Sequence, residues 1–178
     1  MNLITTYSGI KFNPIDPSLE DVSINDIAHA LSFMTRANGH CKYFYSVAQH
    51  SINCSLESKA RGYSKKIQLA CLLHDGSEAY MADIVRPCKV HLTQYLALEN
   101  KLQNTIWNAL GIHFLTTEEY DSVFKIDDII LYNEFKYTMI ENNLTKNEDT
   151  IGDLLFERQD MLDMENMFLK LYKELTQN

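Results

Sequence analysis

A chain of 178 residues with 46% hydrophobic content is long enough to bury one substantial core and too short to bury two, so a single domain over residues 1–178 is expected. Its formal charge of −8 argues against a polymeric nucleic-acid partner, because tracking a phosphate backbone takes clustered Lys and Arg that displace counterions. A small phosphorylated ligand is compatible with that charge, since a few local cations suffice to hold one.

The opening Met1-Asn2-Leu3-Ile4-Thr5-Thr6 shows no basic region followed by an apolar run, and nowhere do about 18 apolar residues succeed one another. A cytosolic location without a membrane partner is therefore expected. Cys41, Cys54, Cys71 and Cys88 lack C-x-x-C spacing and read as free thiols, with Cys54 and Cys71 as small buried side chains in helical patterns.

Residues 3–17 alternate loosely around Gly9 and meet Pro14 and Pro17, which predicts a short hairpin and a turn. The remainder reads as helix. Ser23 with Asp26 forms a capping signal for a helix carrying Ile27, Ala30, Leu31 and Met34 that should end near Gly39. Ser46 with Gln49 repeats it and opens a helix through Val47, His50 and Cys54 to Gly62. Residues 67–81 are apolar nearly all round and predict the central buried helix. After Pro87 an amphipathic helix runs from Leu92 through Leu102, Ile106 and Trp107 to Gly111. Thr116 and Glu119 cap the next, with Tyr120, Val123, Phe124, Ile130, Leu131 and Phe135 along it. A polar loop over 142–149 and a Met-rich helix near 155–175 follow. The fold class predicted is all-α, a helical bundle behind a short hairpin.

Chemistry concentrates where charges interrupt the most apolar segment, at His74-Asp75-Gly76-Ser77-Glu78. Unpaired, these groups would cost several kcal/mol each on burial. On a continuous helix His74 and Glu78 share a face with Asp75 beside them, so an imidazole and two carboxylates can converge on a divalent cation. The mixed nitrogen and oxygen donors suit zinc, cobalt, manganese or iron, with a second divalent ion such as magnesium, manganese or cobalt alongside. His50 and Asp128 are further candidate ligands on other helices. Asp127 competes with Asp128; Asp128 is preferred because it follows Lys125 by one turn and shares a stripe with Phe124, Leu131 and Phe135.

The words around these residues, Phe44-Tyr45-Ser46-Val47-Ala48-Gln49-His50, Leu72-Leu73-His74-Asp75 with Glu78-Ala79-Tyr80, and Lys125-Ile126-Asp127-Asp128, resemble the HD-domain metal-dependent phosphohydrolases over roughly residues 29 to 135. The similarity is closest to the branch of deoxyribonucleoside 5′-nucleotidases and phage dATP triphosphohydrolases. The resemblance implies an HD-type bundle with His50, His74, Asp75 and Asp128 on the metal, and Glu78 and Asp83 as active-site acids. It also implies Arg36 as a phosphate-binding cation, with Lys89 and Lys125 beside it. The activity implied is release of a nucleoside from a purine deoxynucleotide such as dATP, dADP or dAMP. Alternatives are a 5′-nucleotidase restricted to monophosphates and a catalytically silent nucleotide sensor. A guanosine tetraphosphate hydrolase ranks lower, because Ala79 breaks its His-Asp-x-x-Glu-Asp form. Long amphipathic helices and the Met-rich end predict a homo-oligomer.

Overall fold

The computed structural model describes residues 3–141 and 143–177; Asn142, where the polar loop was predicted to begin, lies outside them. The described chain is mostly helical, with a two-stranded antiparallel hairpin at its start. Strands β1 (Ile4–Thr5) and β2 (Lys11–Phe12) pair Ile4 with Phe12 and Thr5 with Lys11. Helices α1 (Ile24–Phe33), α2 (Val47–Ala60), α3 (Lys65–Leu73) and the single turn α4 (Glu78–Met81) follow. They are succeeded by another single turn, α5 (Arg86–Lys89), and by α6 (Thr93–Ala109), α7 (Thr117–Thr138) and α8 (Met161–Thr176). No helix among the described residues is long and apolar enough to cross a membrane.

Helix starts lie where the hydroxyl caps predict. Ser23, Ser46 and Thr116 accept the backbone N–H three residues on, and at Thr116 the Glu119 carboxylate returns the bond to complete a capping box. Each such cap contributes about 1 kcal/mol.

The helix at the centre of the bundle is α2, which packs against α1, α3, α7 and α8. Seven of its buried residues are polar: Gln49, His50, Ser51, Asn53, Ser55, Glu57 and Ser58. Gln49, Asn53 and Glu57 recur every four residues and hold an extended segment of chain. The Gln49 amide donates to the carbonyls of Leu155 and Glu157 at 2.8 Å each. Asn53 donates to the Leu155 carbonyl and accepts its N–H. The Glu57 carboxylate accepts from the N–H groups of Ile151 and Gly152. This is why the last helix starts at Met161 and not at Leu155: the backbone groups a helix needs at Leu155 are already taken by Asn53.

Two other expectations change. The chain leaves α1 at Met34, and a bridge between Thr35 and Ser46 closes a loop in which Ala37 and Asn38 adopt φ of 51° and 53°. Left-handed backbone at an alanine costs about 1–2 kcal/mol, and α1 ends at Phe33 without running on to Gly39. The predicted helix over 67–81 is broken at residues 74–77. Gln103 of α6 inserts its side-chain amide there, donating to the Leu73 carbonyl at 2.7 Å and accepting the Ser77 N–H at 2.9 Å. Leu73 and Ser77 would otherwise bond each other as i and i+4, and a side chain inserted into that ladder is a recognised cause of a break. Gly76 permits the approach: a Cβ there would lie 3.0 Å from the Leu73 carbonyl and 3.1 Å from Ile106.

Candidate metal centre

The break puts His74 at the end of α3 and Asp75 immediately beyond it, facing α2 and α7. The two imidazoles point their Nε2 atoms at each other, 3.3 Å apart. Each ring is fixed from behind. The His50 Nδ1 lies 2.8 Å from Glu134 Oε2, and the His74 Nδ1 lies 2.7 Å from the Cys71 carbonyl. A backbone carbonyl only accepts, so His74 Nδ1 carries its proton, and the buried Glu134 carboxylate demands the same of His50. In the neutral rings, both Nε2 lone pairs then face a common point.

Carboxylates close on that point. Asp127 Oδ1 lies 3.1 Å from His50 Nε2 and 3.7 Å from His74 Nε2; Asp75 is 3.8 Å and 3.4 Å from the same atoms. Cys54, one turn after His50 on α2, brings its Sγ to 3.5 Å from His50 Nε2. The donor atoms of His50, Cys54, His74 and Asp127 all lie within 4.8 Å of one another. Metal–ligand bonds of about 2.1 Å place donor atoms roughly 3.0–3.5 Å apart at octahedral or tetrahedral angles. The set can therefore hold one ion shared by both imidazoles.

The electrostatics favour positive charge at that point. Burial and Arg36 work against charge on His50, yet Cys54, Glu134 and Asp127 outweigh them and lift it well above the usual imidazole range; at His74, Asp75 and Asp127 outweigh burial and lift it as well. Burial would raise the Asp127 carboxyl too, but the facing imidazoles hold it well below the usual carboxylate range. The Cys54 thiol is pushed up to about 11, chiefly by burial.

Of the acidic pair on α7, the structure brings Asp127 and not Asp128 to the histidines, correcting the preferred assignment. Asp128 is 51% exposed in its side chain and pairs with Arg86 at 2.9 Å. The stripe of Phe124, Asp128, Leu131 and Phe135 does line up as expected, but it faces a cleft of about 1320 Å³ rather than the core. The buried stripe is Val123, Ile126, Ile130 and Asn133, whose spacing turns Asp127 inward. Lys125 departs as well: it lies 53% exposed against Glu148 at 2.8 Å and does not line the cleft.

Arg36, Asp75, Glu78, Asp83 and Lys89 all line the cleft. Arg36 is 9% exposed, with Nη1 at 3.4 Å from Asp75 and Nη2 at 3.2 Å from Glu134. Glu78 opens α4, so it reaches the cleft from a separate turn instead of the helix of His74. Its Oε1 is 3.5 Å from Lys89, and its buried Oε2 has no hydrogen-bond partner among the described residues. Burial, followed by Asp75 and Asp83, keeps its carboxyl well above the usual range. Asp83 is raised for the same first reason.

Three residues of the site have no counterpart among the sequence candidates. Glu134, fully buried, braces both His50 and Arg36; its signal is a charge seven residues after Asp127, two turns along an apolar face. Cys54 shows the i+4 spacing from His50. Arg86 binds Asp127 Oδ2 at 3.3 Å, and no local pattern announces it.

No family model matches the chain. It is similar to the uncharacterized protein YfdR of Escherichia coli (strain K12), at 38% identity over 112 residues, 63% of this chain and 60% of that protein. An uncharacterized protein of Rhodobacter capsulatus is 36% identical over 110 residues, 59% of this chain and 56% of that protein. The chain thus matches less than two thirds of the length of these curated relatives.

Proposed function

We propose that this chain is a metal-dependent phosphohydrolase of the HD-domain type, acting on a deoxynucleotide at the phosphate ester and releasing nucleoside. The observation that carries the reading is the convergence of His50 and His74 Nε2 with the Asp75 and Asp127 carboxylates beside a cleft lined by a buried Glu78, whose Oε1 faces Lys89. His50, His74, Asp75 and Asp127 would hold a divalent transition ion, zinc, cobalt, manganese or iron, supplying Lewis acidity to a phosphoryl oxygen and to water.

The chain's own residues supply the remainder. Six carboxylates against Arg36, Arg86 and Lys89 line the cleft, so a phosphate meets net repulsion until a cation is held there. Arg36 is the residue to grip the phosphate, because Glu134 and Asp75 fix the plane of its guanidinium. Lys89 adds a second cation. Glu78, whose carboxyl is raised well above the usual range by burial and by Asp75 and Asp83, is the group to give a proton to the departing ester oxygen, and Asp83 stands beside it.

The test is product chromatography after incubating the metal-stripped protein with deoxy- and ribonucleoside mono-, di- and triphosphates, dATP and dAMP included. Cobalt, manganese, zinc, iron or magnesium is supplied separately. Metal-dependent nucleoside release, lost in His74→Ala, is expected; no turnover of any nucleotide under any metal overturns the reading.

A further inference from the structure

Three aromatic rings stand side by side on the wall of the cleft between α6 and α7. Tyr120 and Phe124, one turn apart on α7, have centroids 4.6 Å apart, and Trp107 of α6 meets Tyr120 edge-on at 6.1 Å. All three line the same cleft as His74, Asp75 and Asp127. Tyr120 and Phe124 are 41% and 39% exposed, although rings of this size contribute most when covered. The indole N–H of Trp107 is buried without a hydrogen-bond partner among the described residues, an unmet donor next to this wall.

Register along α7 sets the distance from the metal centre. Phe124 precedes Asp127 by three residues and Tyr120 by seven, so they share a side of the helix. At a rise of about 1.5 Å per residue they lie roughly 4.5 and 10.5 Å along its axis from the ligand carboxylate. The cleft is divided accordingly: Arg36, Arg86 and Lys89 gather with the acidic cluster, and the rings lie further along. A ligand complementary to both is anionic at one end, planar and aromatic at the other, with a short spacer between.

We propose that Trp107, Tyr120 and Phe124 form a subsite for the heterocyclic base of a nucleoside phosphate, with the ring stacked on Tyr120 and Phe124 while the phosphate faces Asp127. The subsite deepens the nucleotide reading and rests on it for the identity of the anionic end. Stacking on aromatic side chains tolerates different bases, because every base has a π-face.

Trp107 is the sole tryptophan, so its emission reports a ring arriving at the wall independently of turnover. Titration of the full chain with deoxyadenosine and with dAMP is expected to quench it saturably, and ribose 5-phosphate, which lacks a base, to leave it unchanged. In Tyr120→Ala/Phe124→Ala the apparent affinity for deoxyadenosine should fall about tenfold or more. Phe124→Leu, which keeps most of the volume and removes the π-face, should give part of that loss in a chain whose packing is preserved. Absence of quenching, or equal quenching in the double variant, overturns the subsite. Quenching without hydrolysis supports the subsite and sinks the phosphohydrolase reading; hydrolysis of dAMP without quenching does the reverse.

Discussion

Two polar faces run along α2, and they treat buried polar groups in opposite ways. On one, Gln49, Asn53 and Glu57 meet backbone donors and acceptors of residues 151–157, and the fully buried Glu57 carboxylate also accepts from Arg61 Nε at 2.7 Å. Every strong acceptor there is matched by a donor, the ordinary condition for polar groups inside a protein. On the adjoining face, His50 and Cys54 look toward His74, Asp75 and Asp127, where two imidazoles and two carboxylates crowd on one point. The first face organises the chain, and the second gathers side chains that can hold an ion. Burial is common to both, and donor balance is what separates structure from function.

The comparison can be broken at either face. The largest effect is expected on the ion-facing side: Asp127→Asn should weaken divalent metal binding about 1000-fold by calorimetry, and a variant that still binds as tightly as the parent would remove Asp127 from the centre. Glu57→Ala should cost about 3 kcal/mol in denaturant unfolding by orphaning its partners, with metal affinity of the folded fraction unchanged; a matching loss of metal would erase the distinction between the faces. Glu134→Gln lies between, because it braces a ligand without being one. It should lower metal affinity about 10- to 100-fold, and an unaffected affinity would show that the His50 ring needs no brace. Asp128→Asn should be the mildest, within about twofold in metal affinity, since its carboxylate is half exposed on Arg86. A large loss there would restore the assignment drawn from sequence.

Much of the fold was legible because caps and apolar periodicity are local. Ser23, Ser46 and Thr116 each start a helix, and the hairpin pairs where Gly9 and its flanking residues suggest. His74 and Asp75 stood out as charges in apolar surroundings and His50 as a candidate on another helix, and the structure brings the three together. What failed depended on partners distant in sequence. The break at 74–77 needs Gln103, 30 residues from Leu73, and the late start of α8 needs Asn53, 102 residues from Leu155. The exchange of Asp127 for Asp128 has a different origin: one residue on a helix turns a side chain by about 100°, and an apolar stripe can face a cleft as readily as a core. Phe124, Leu131 and Phe135 do the former, so their periodicity pointed to the wrong neighbour.

The Gln103 insertion gives one amide of the backbone an unusual guardian. The Ser77 N–H is satisfied by a side chain of α6 and not by its own helix, so its hydrogen exchange with solvent requires α6 to withdraw rather than α3 or α4 to fray. The same amide bond sits between His74 and Glu78 in sequence, and Gln103 sits one turn before Trp107. A single exchange rate at Ser77 thus measures how firmly the wall carrying Trp107 is fastened to the turn that carries His74.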